Sequence, residues 1–252
     1  MLGAHFVFKG AIDMAELMKE LLENLSFVLV SISIVVALGL GTKLVEKKWI
    51  TVRSVTPARR ICITAICSAI AMVLHILDFP VYFLAPSFYE LDFSEVPVLL
   101  CGFYLGPSSA VACEGLKILL KLLLKGTKTA FVGDFANFVV GCSFVLPAIV
   151  FYHVRKSRHG ALIGLILGTA SMAVLGSAFN AVYLVPKFSQ LYGMPLETII
   201  AMGTAIWPAV TDLTTFALFC VVPLNLFKGV MVSVPTVLLY KKVAKPLFGI
   251  HK

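Results

Sequence analysis

Hydrophobic positions in this chain run in long blocks separated by short basic or proline- and glycine-containing breaks. Residues 25–42 are apolar as far as Lys43, Lys47 and Lys48, and further apolar blocks follow at about 60–78, 94–106, 108–125, 132–154, 160–184 and 206–240. A helix of about 20 apolar residues crosses the hydrocarbon of a bilayer. The pattern therefore predicts seven transmembrane helices, the last long enough to be tilted or broken. Ahead of them, residues 11–24 place Met14, Leu17, Met18 and Leu21 at helical spacing opposite Glu16, Lys19, Glu20 and Glu23, the mark of an amphipathic surface helix. That acidic leader and the internal position of the first block argue against a cleaved signal peptide. The expected organisation is an amphipathic segment (1–24), an additional N-terminal transmembrane helix with a basic linker (25–52), and a membrane domain of six spans (53–252).

Composition fixes the solvent. Hydrophobic residues make up 60% of the 252-residue chain and charged residues 13%, with a mean hydropathy of +0.98, whereas soluble domains carry about 25% charged residues. The chain is read as an all-α, multi-pass integral protein of the cell membrane, with the lipid bilayer as its first partner. The net charge of +8 does not indicate nucleic acid. Lys and Arg collect at the ends of apolar blocks, and no basic stripe interleaves with exposed aromatics. Arg53, Arg59 and Arg60 precede the second block, Arg155, Lys156 and Arg158 separate the fifth from the sixth, and Lys241, Lys242 and Lys245 follow the last. With seven spans all three clusters share one side, which the positive-inside rule makes the cytoplasm. The amino-terminal stretch, the connection 78–95 with Glu90 and Asp92, and the loop 125–129 then lie outside.

Charge inside the apolar blocks carries the functional signal. Lys117 and Lys121 stand one helical turn apart, with Lys125 a turn further on. A lysine at the bilayer centre costs about 2.5 to 3.5 kcal/mol on insertion scales, so it usually faces protein, water or ligand. Snorkelling of the ammonium to the headgroups is the alternative, and it is the preferred reading for Lys125. Pro97, the Gly106-Pro107 pair, Pro208 and Pro223 interrupt their blocks, and non-helical backbone at membrane depth survives only beside protein or a polar cavity. The candidate ligand-binding groups are Glu95, Lys117, Lys121, Asn137, Asn180, Asp212, Asn225 and Lys228. Asn225 and Lys228 are three apart and share a helix face. Asp212 serves equally well as a helix cap in AVTDLTTF, and Glu114 as a partner for Lys117 across one turn. Tyr183, beside Asn180, is the preferred stacking residue; Phe83, Phe93 and Trp207 fit either ring-stacking walls or an interfacial aromatic belt.

Other chemistries find little support. The six cysteines are dispersed in apolar segments without a C-x-x-C pair, and the five histidines form no local ligand motif, so no metal is expected. No G-x-x-x-x-G-K-[ST] loop occurs, so the chain is not expected to hydrolyse ATP. No nucleophile with an oriented base is visible, and no enzymatic activity is expected.

The stretch LDFSEVPVLLCGFYLGP (91–107), followed by EGLKILLKLLLKGTKT and GDFANFVVG (133–141), resembles the substrate-binding S-component of energy-coupling factor (ECF) vitamin transporters. The riboflavin-specific branch is the most similar, and FNAVYLVP (179–186), YGMPLETIIAMGTAIWPAVTDLTTF and VPLNLFKGVMVSVPTVLLYKK (222–242) agree with it in order and spacing. The resemblance covers about residues 56–242. It implies a six-helix bundle that captures riboflavin, as transported ligand rather than cofactor, from outside. The implied partners are a transmembrane scaffold subunit and two cytoplasmic ATPases. It also implies that Ala65 and Ala69, in an A-x-x-x-A pattern, meet the scaffold, since small residues at this spacing allow close helix approach in lipid; inward packing is the alternative from sequence alone. The chain departs from the resemblance in residues 1–52. Two further readings stay open: an S-component for another vitamin or a flavin relative, and an integral-membrane enzyme acting on lipid or prenyl substrates.

Overall fold

The computed structural model describes residues 25–52, 54–127 and 131–248; the amphipathic segment expected at 11–24 lies outside these. Helix α1, Leu25–Trp49, carries exposed apolar residues such as Leu29, Ile32, Val36 and Leu40, and among the described residues it is one of five helices long and apolar enough to cross a membrane. By contacts the chain divides into two units, one ending at Leu40 and one running from Gly41 onward. The second unit contains the bundle.

Each helix of the bundle begins where the sequence supplies a start. Thr56 caps α2 (Pro57–Ile76) by accepting the Arg59 N–H, and Pro57 occupies the first position, where no donor is needed. Helix α3 (Glu95–Leu105) is followed after Gly106 alone by α4 (Pro107–Lys125). Gly106 makes that turn at φ 97°, a conformation open to glycine. Its lack of a side chain leaves the first N–H groups of α4 without a local acceptor. Glu46, near the end of α1, supplies one: its carboxylate accepts the Ser108 N–H and the Ser108 hydroxyl, both at 2.8 Å. Lys156 donates to the Thr51 carbonyl at 2.6 Å. The α1–α2 linker, the α3–α4 turn and the α5–α6 turn therefore meet at the basic end of the bundle.

Helix α5 (Val132–Val154) packs along α6, which starts at Arg158 behind the Ser157 cap. Gly164 permits the close approach: a Cβ there would come within 2.5 Å of the Ala148 carbonyl oxygen. Helix α6 continues from Arg158–Ser171 through π turns at Met172–Gly176 and Asn180–Leu184 to Val185–Tyr192. Helix α7 is Leu196–Ile206, and α8 starts as Leu213–Phe216, passes a π turn at Ala217–Val221 and runs to Phe248. Among the described residues, two of the three π turns end two residues before a proline, Pro186 and Pro223. A proline ring collides with the carbonyl four residues back, here those of Val182 and Phe219, and both lie in the widened turns. The breaks expected at proline are thus absorbed without ending either helix.

The apolar blocks and the helices agree from 57 to 154, and then differ. The block 160–184 extends to Tyr192, and the last span begins at Leu213 rather than 206. Residue 206 instead ends α7, a helix that the block pattern did not predict. Pro208 explains the stop, because the residue before proline is pushed to extended backbone, and Trp207 has φ −126° and ψ 105°.

The connection 78–95 is not a solvated loop throughout. Phe79–Pro80 pairs antiparallel with Glu90–Leu91, and the return strand leads Leu91, Asp92 and Ser94 into full burial. Helix α3, at eleven residues, rises only about 16 Å, roughly half of the hydrocarbon thickness. Beneath the hairpin the core closes around Leu99, Leu105, Phe144, Ile149, Leu165 and Met172.

Candidate ligand-binding site

The hairpin, α4, α5, α6 and α8 enclose a cavity of about 440 Å³ at the end of the bundle opposite the basic clusters, within the size range of small-molecule sites. Lys121, Asn137, Asn180, Asn225 and Lys228 all line it, together with His75, Tyr89, Asp92 and Asp134. One wall is aromatic: Phe88 stacks on Phe188 with ring centroids 5.4 Å apart, and Tyr89 lies 4.7 Å from Phe88.

The lysines are held by carboxylates. Lys228 Nζ lies 2.9 Å from Glu95 and 3.4 Å from Asp92, and His75 Nδ1 lies 3.1 Å from the same Asp92 oxygen. Lys117 pairs with Glu114 on its own helix, lies 3.5 Å from Glu95, and donates to Ser94 Oγ at 3.0 Å and Asn137 Oδ1 at 3.3 Å. His75, Asp92, Lys228, Glu95, Lys117 and Glu114 thus form one buried chain of charged and ionisable groups leading from the cavity floor into the bundle. Such a chain is tolerable in low dielectric because each charge has an opposite neighbour within ion-pair distance. Nearer the mouth, Lys121 pairs with Asp134 at 2.5 Å and Lys125 with Asp78 at 3.0 Å, the latter also donating to the Ile76 carbonyl. Lys125 therefore does not snorkel: it joins the end of α4 to the start of the hairpin.

The amides are equally constrained. Asn225 Nδ2 donates to Ser177 Oγ at 3.0 Å and to the Met172 carbonyl at 3.4 Å. Asn180 Oδ1 accepts the Tyr89 hydroxyl at 2.9 Å, and its Nδ2 lies 3.4 Å from the Gly176 carbonyl. The Met172 and Gly176 carbonyls that these amides reach both belong to the first π turn of α6.

Other candidates from the sequence lie elsewhere. Glu95 and Lys117 sit below the cavity and act on it through Lys228 and Asn137. Tyr183 does not line the cavity; it stacks on Phe179 at 5.4 Å. Asp212 is exposed and closes a capping box with Thr215 at the start of α8; hydrogen bonds from the Thr215 N–H and hydroxyl hold its carboxyl below the usual range. Phe83 is exposed, Phe93 packs near Phe79, and the Trp207 indole donates to the Leu84 carbonyl, so none of these three forms the aromatic wall. Ala65 and Ala69 are both exposed, on the outward face of α2.

Sequence reasoning missed His75, Asp92, Asp134, Tyr89, Phe88 and Phe188. The signal for the acids was present, since lysines at membrane depth demand counter-charges. Asp134 stands three residues before Asn137, on the same helix face.

Comparison with known proteins is consistent across sequence and structure. The chain is 30% identical over 186 residues to the riboflavin transporter FmnP of Bacillus subtilis (strain 168), spanning 73% of this chain and 92% of that one. It is 32% identical over 191 residues to the riboflavin transporter RibU of Staphylococcus aureus (strain TCH60), spanning 74% and 90%. A solved S component of a bacterial ECF transporter superposes with a TM-score of 0.61 at 33% identity, covering 78% of this chain and all of the other. The family described as ECF transporter, substrate-specific component, matches residues 59–240, and this chain is a member of it.

Proposed function

We propose that this chain is the riboflavin-capturing subunit of an ECF-type transporter, taking the vitamin from the extracellular side and releasing it through ATP-driven partner subunits. The observation that carries the reading is the cavity itself. An aromatic wall of Phe88, Tyr89 and Phe188 faces amides and a lysine at Asn137, Asn225 and Lys228. A flavin needs both surfaces: flat apolar contact for the fused ring, and a few placed donors and acceptors for its pyrimidine edge and ribityl chain. Two relatives that match most of the chain are named riboflavin transporters. With relatives named as transporters, the chain acts as a carrier rather than an enzyme.

Its partners are a transmembrane scaffold subunit and two cytoplasmic ATPases, with Ala65 and Ala69 on the scaffold-facing side of α2. Both alanines are exposed, and small residues there let a second helix approach closely. The test is titration of riboflavin fluorescence with the purified chain. Saturable quenching at submicromolar protein, uncompeted by other vitamins, is expected; a folded chain without saturable quenching at micromolar protein overturns the reading. In vesicles, ATP-driven uptake should require the partner subunits, and Ala65→Leu with Ala69→Leu should weaken assembly while leaving quenching intact.

A further inference from the structure

We infer that Asp134 and Asp78 are specificity residues at the cavity mouth: by engaging Lys121 and Lys125 they leave no spare cation for a phosphate, so the cavity admits the uncharged flavin and turns away its terminal phosphate ester. This rests on the flavin reading above and extends it to the charge state of the ligand.

Several lysines around one cavity, in a chain of net charge +8, would ordinarily mark an anion site. Here each lysine that lines the cavity among the described residues is already engaged by a carboxylate. Lys228 lies 2.9 Å from Glu95 and 3.4 Å from Asp92, Lys121 pairs with Asp134 at 2.5 Å, and Lys125 pairs with Asp78 at 3.0 Å. A phosphate monoester carries a charge of about −1.5 to −2 near neutral pH. On entering it would give up water without meeting a cation in return. To take Lys121 it has to displace Asp134, whose carboxylate is then left buried without its counter-charge, the costly result of breaking such a pair. An unpaired charge left behind separates ligands that differ in charge alone.

The two mouth pairs are not equal. The Lys121 and Asp134 side chains are 10% and 4% exposed, whereas those of Lys125 and Asp78 are 25% and 15% exposed. Water screens the outer pair more, so Asp134 carries most of the discrimination. The second oxygen of Asp134 is buried and has no hydrogen-bond partner among the described residues. That carboxylate therefore has no substitute for Lys121.

The experiment measures two dissociation constants in the same preparation, for riboflavin and for flavin mononucleotide, by fluorescence quenching. Their ratio does not depend on the fraction of folded protein. The wild-type chain should bind the phosphate ester at least about tenfold more weakly than riboflavin. Asp134→Asn keeps the shape of the side chain and frees the Lys121 charge, and it should narrow that ratio by about tenfold. Asp78→Asn should narrow it by a smaller factor, and Glu197→Gln, which removes an exposed acid outside the cavity, should leave it unchanged. Adding Lys121→Met to Asp134→Asn should restore the wild-type ratio, because the freed charge is gone. Equal wild-type affinities for the two flavins, an unchanged ratio in Asp134→Asn, or a gain in Asp134→Asn that survives Lys121→Met overturns the inference. A wild-type chain that binds neither flavin overturns the flavin reading itself.

Discussion

Replacing Lys228 with methionine keeps the length of the side chain and removes its charge. The ammonium is 7% exposed as a residue and stands between Glu95 at 2.9 Å and Asp92 at 3.4 Å. Without it, Asp92, Glu95 and Glu114 are left facing Lys117 and His75 alone. Removing one member of a buried pair costs about 3 to 5 kcal/mol, because the remaining charge is neither solvated nor compensated; domains are stable by only about 5 to 15 kcal/mol. Lys228→Met should therefore be severely destabilised. Adding Glu95→Gln removes the surplus negative charge, and the double variant should recover at least about 2 kcal/mol of that loss, a coupling at the upper end for contacting residues. Stability is read by denaturant unfolding in mixed micelles, with flavin quenching measured on the same samples. Quenching separates the two roles of the lysine: stability should return in the double variant, while riboflavin binding should remain weakened by about tenfold or more. A Lys228→Met chain as stable as wild type, or effects of the two substitutions that simply add, would refute the reasoning.

Four further outcomes follow from the geometry. Asn225→Ala should weaken riboflavin binding about tenfold to a hundredfold, whereas Lys125→Ala, which removes the mouth pair with Asp78, should change the equilibrium affinity much less and show itself in the rate of flavin dissociation; both are read by quenching and stopped flow. Gly164→Val drives a side chain against the Ala148 carbonyl of α5 and should cost more than about 1 kcal/mol by overpacking, measured in the same micelle unfolding assay. Glu46→Ala uncaps α4 and should cost about 1 kcal/mol, with Ser108→Ala adding little in its presence because the two share one contact.

Five of the seven expected spans were legible as long apolar helices because a bilayer demands about 20 apolar residues per crossing, whereas the 94–106 block forms a helix of only eleven residues; basic clusters and the Gly106-Pro107 pair mark several of the ends. The short elements were not. Helix α7 contains only Leu196–Ile206, below crossing length, and its apolar residues merged with the following block. The hairpin has two residues per strand, too few for any periodicity. At the site, the lysines and asparagines stood out against apolar neighbours and line or underlie the cavity. Asp212 and Tyr183 stood out equally, yet one caps α8 and the other stacks on Phe179. Polarity in an apolar segment announces that a partner exists but not whether it is a ligand, a helix end or another side chain. The aromatic wall was invisible for the reverse reason: Phe88 and Phe188 sit among so many other aromatics that only the fold brings them together.

The clasp of Glu46 on the turn at Gly106 bears on where this protein can be cut. The match to the S-component family model begins at residue 59, and a fragment designed on that boundary would look complete by that match. The packed unit nevertheless starts earlier, at Gly41, and includes a carboxylate that caps α4, an Ile50 side chain that is buried, and a Thr51 carbonyl held by Lys156. The limits of the family match and the limits of the packed unit do not coincide in this chain.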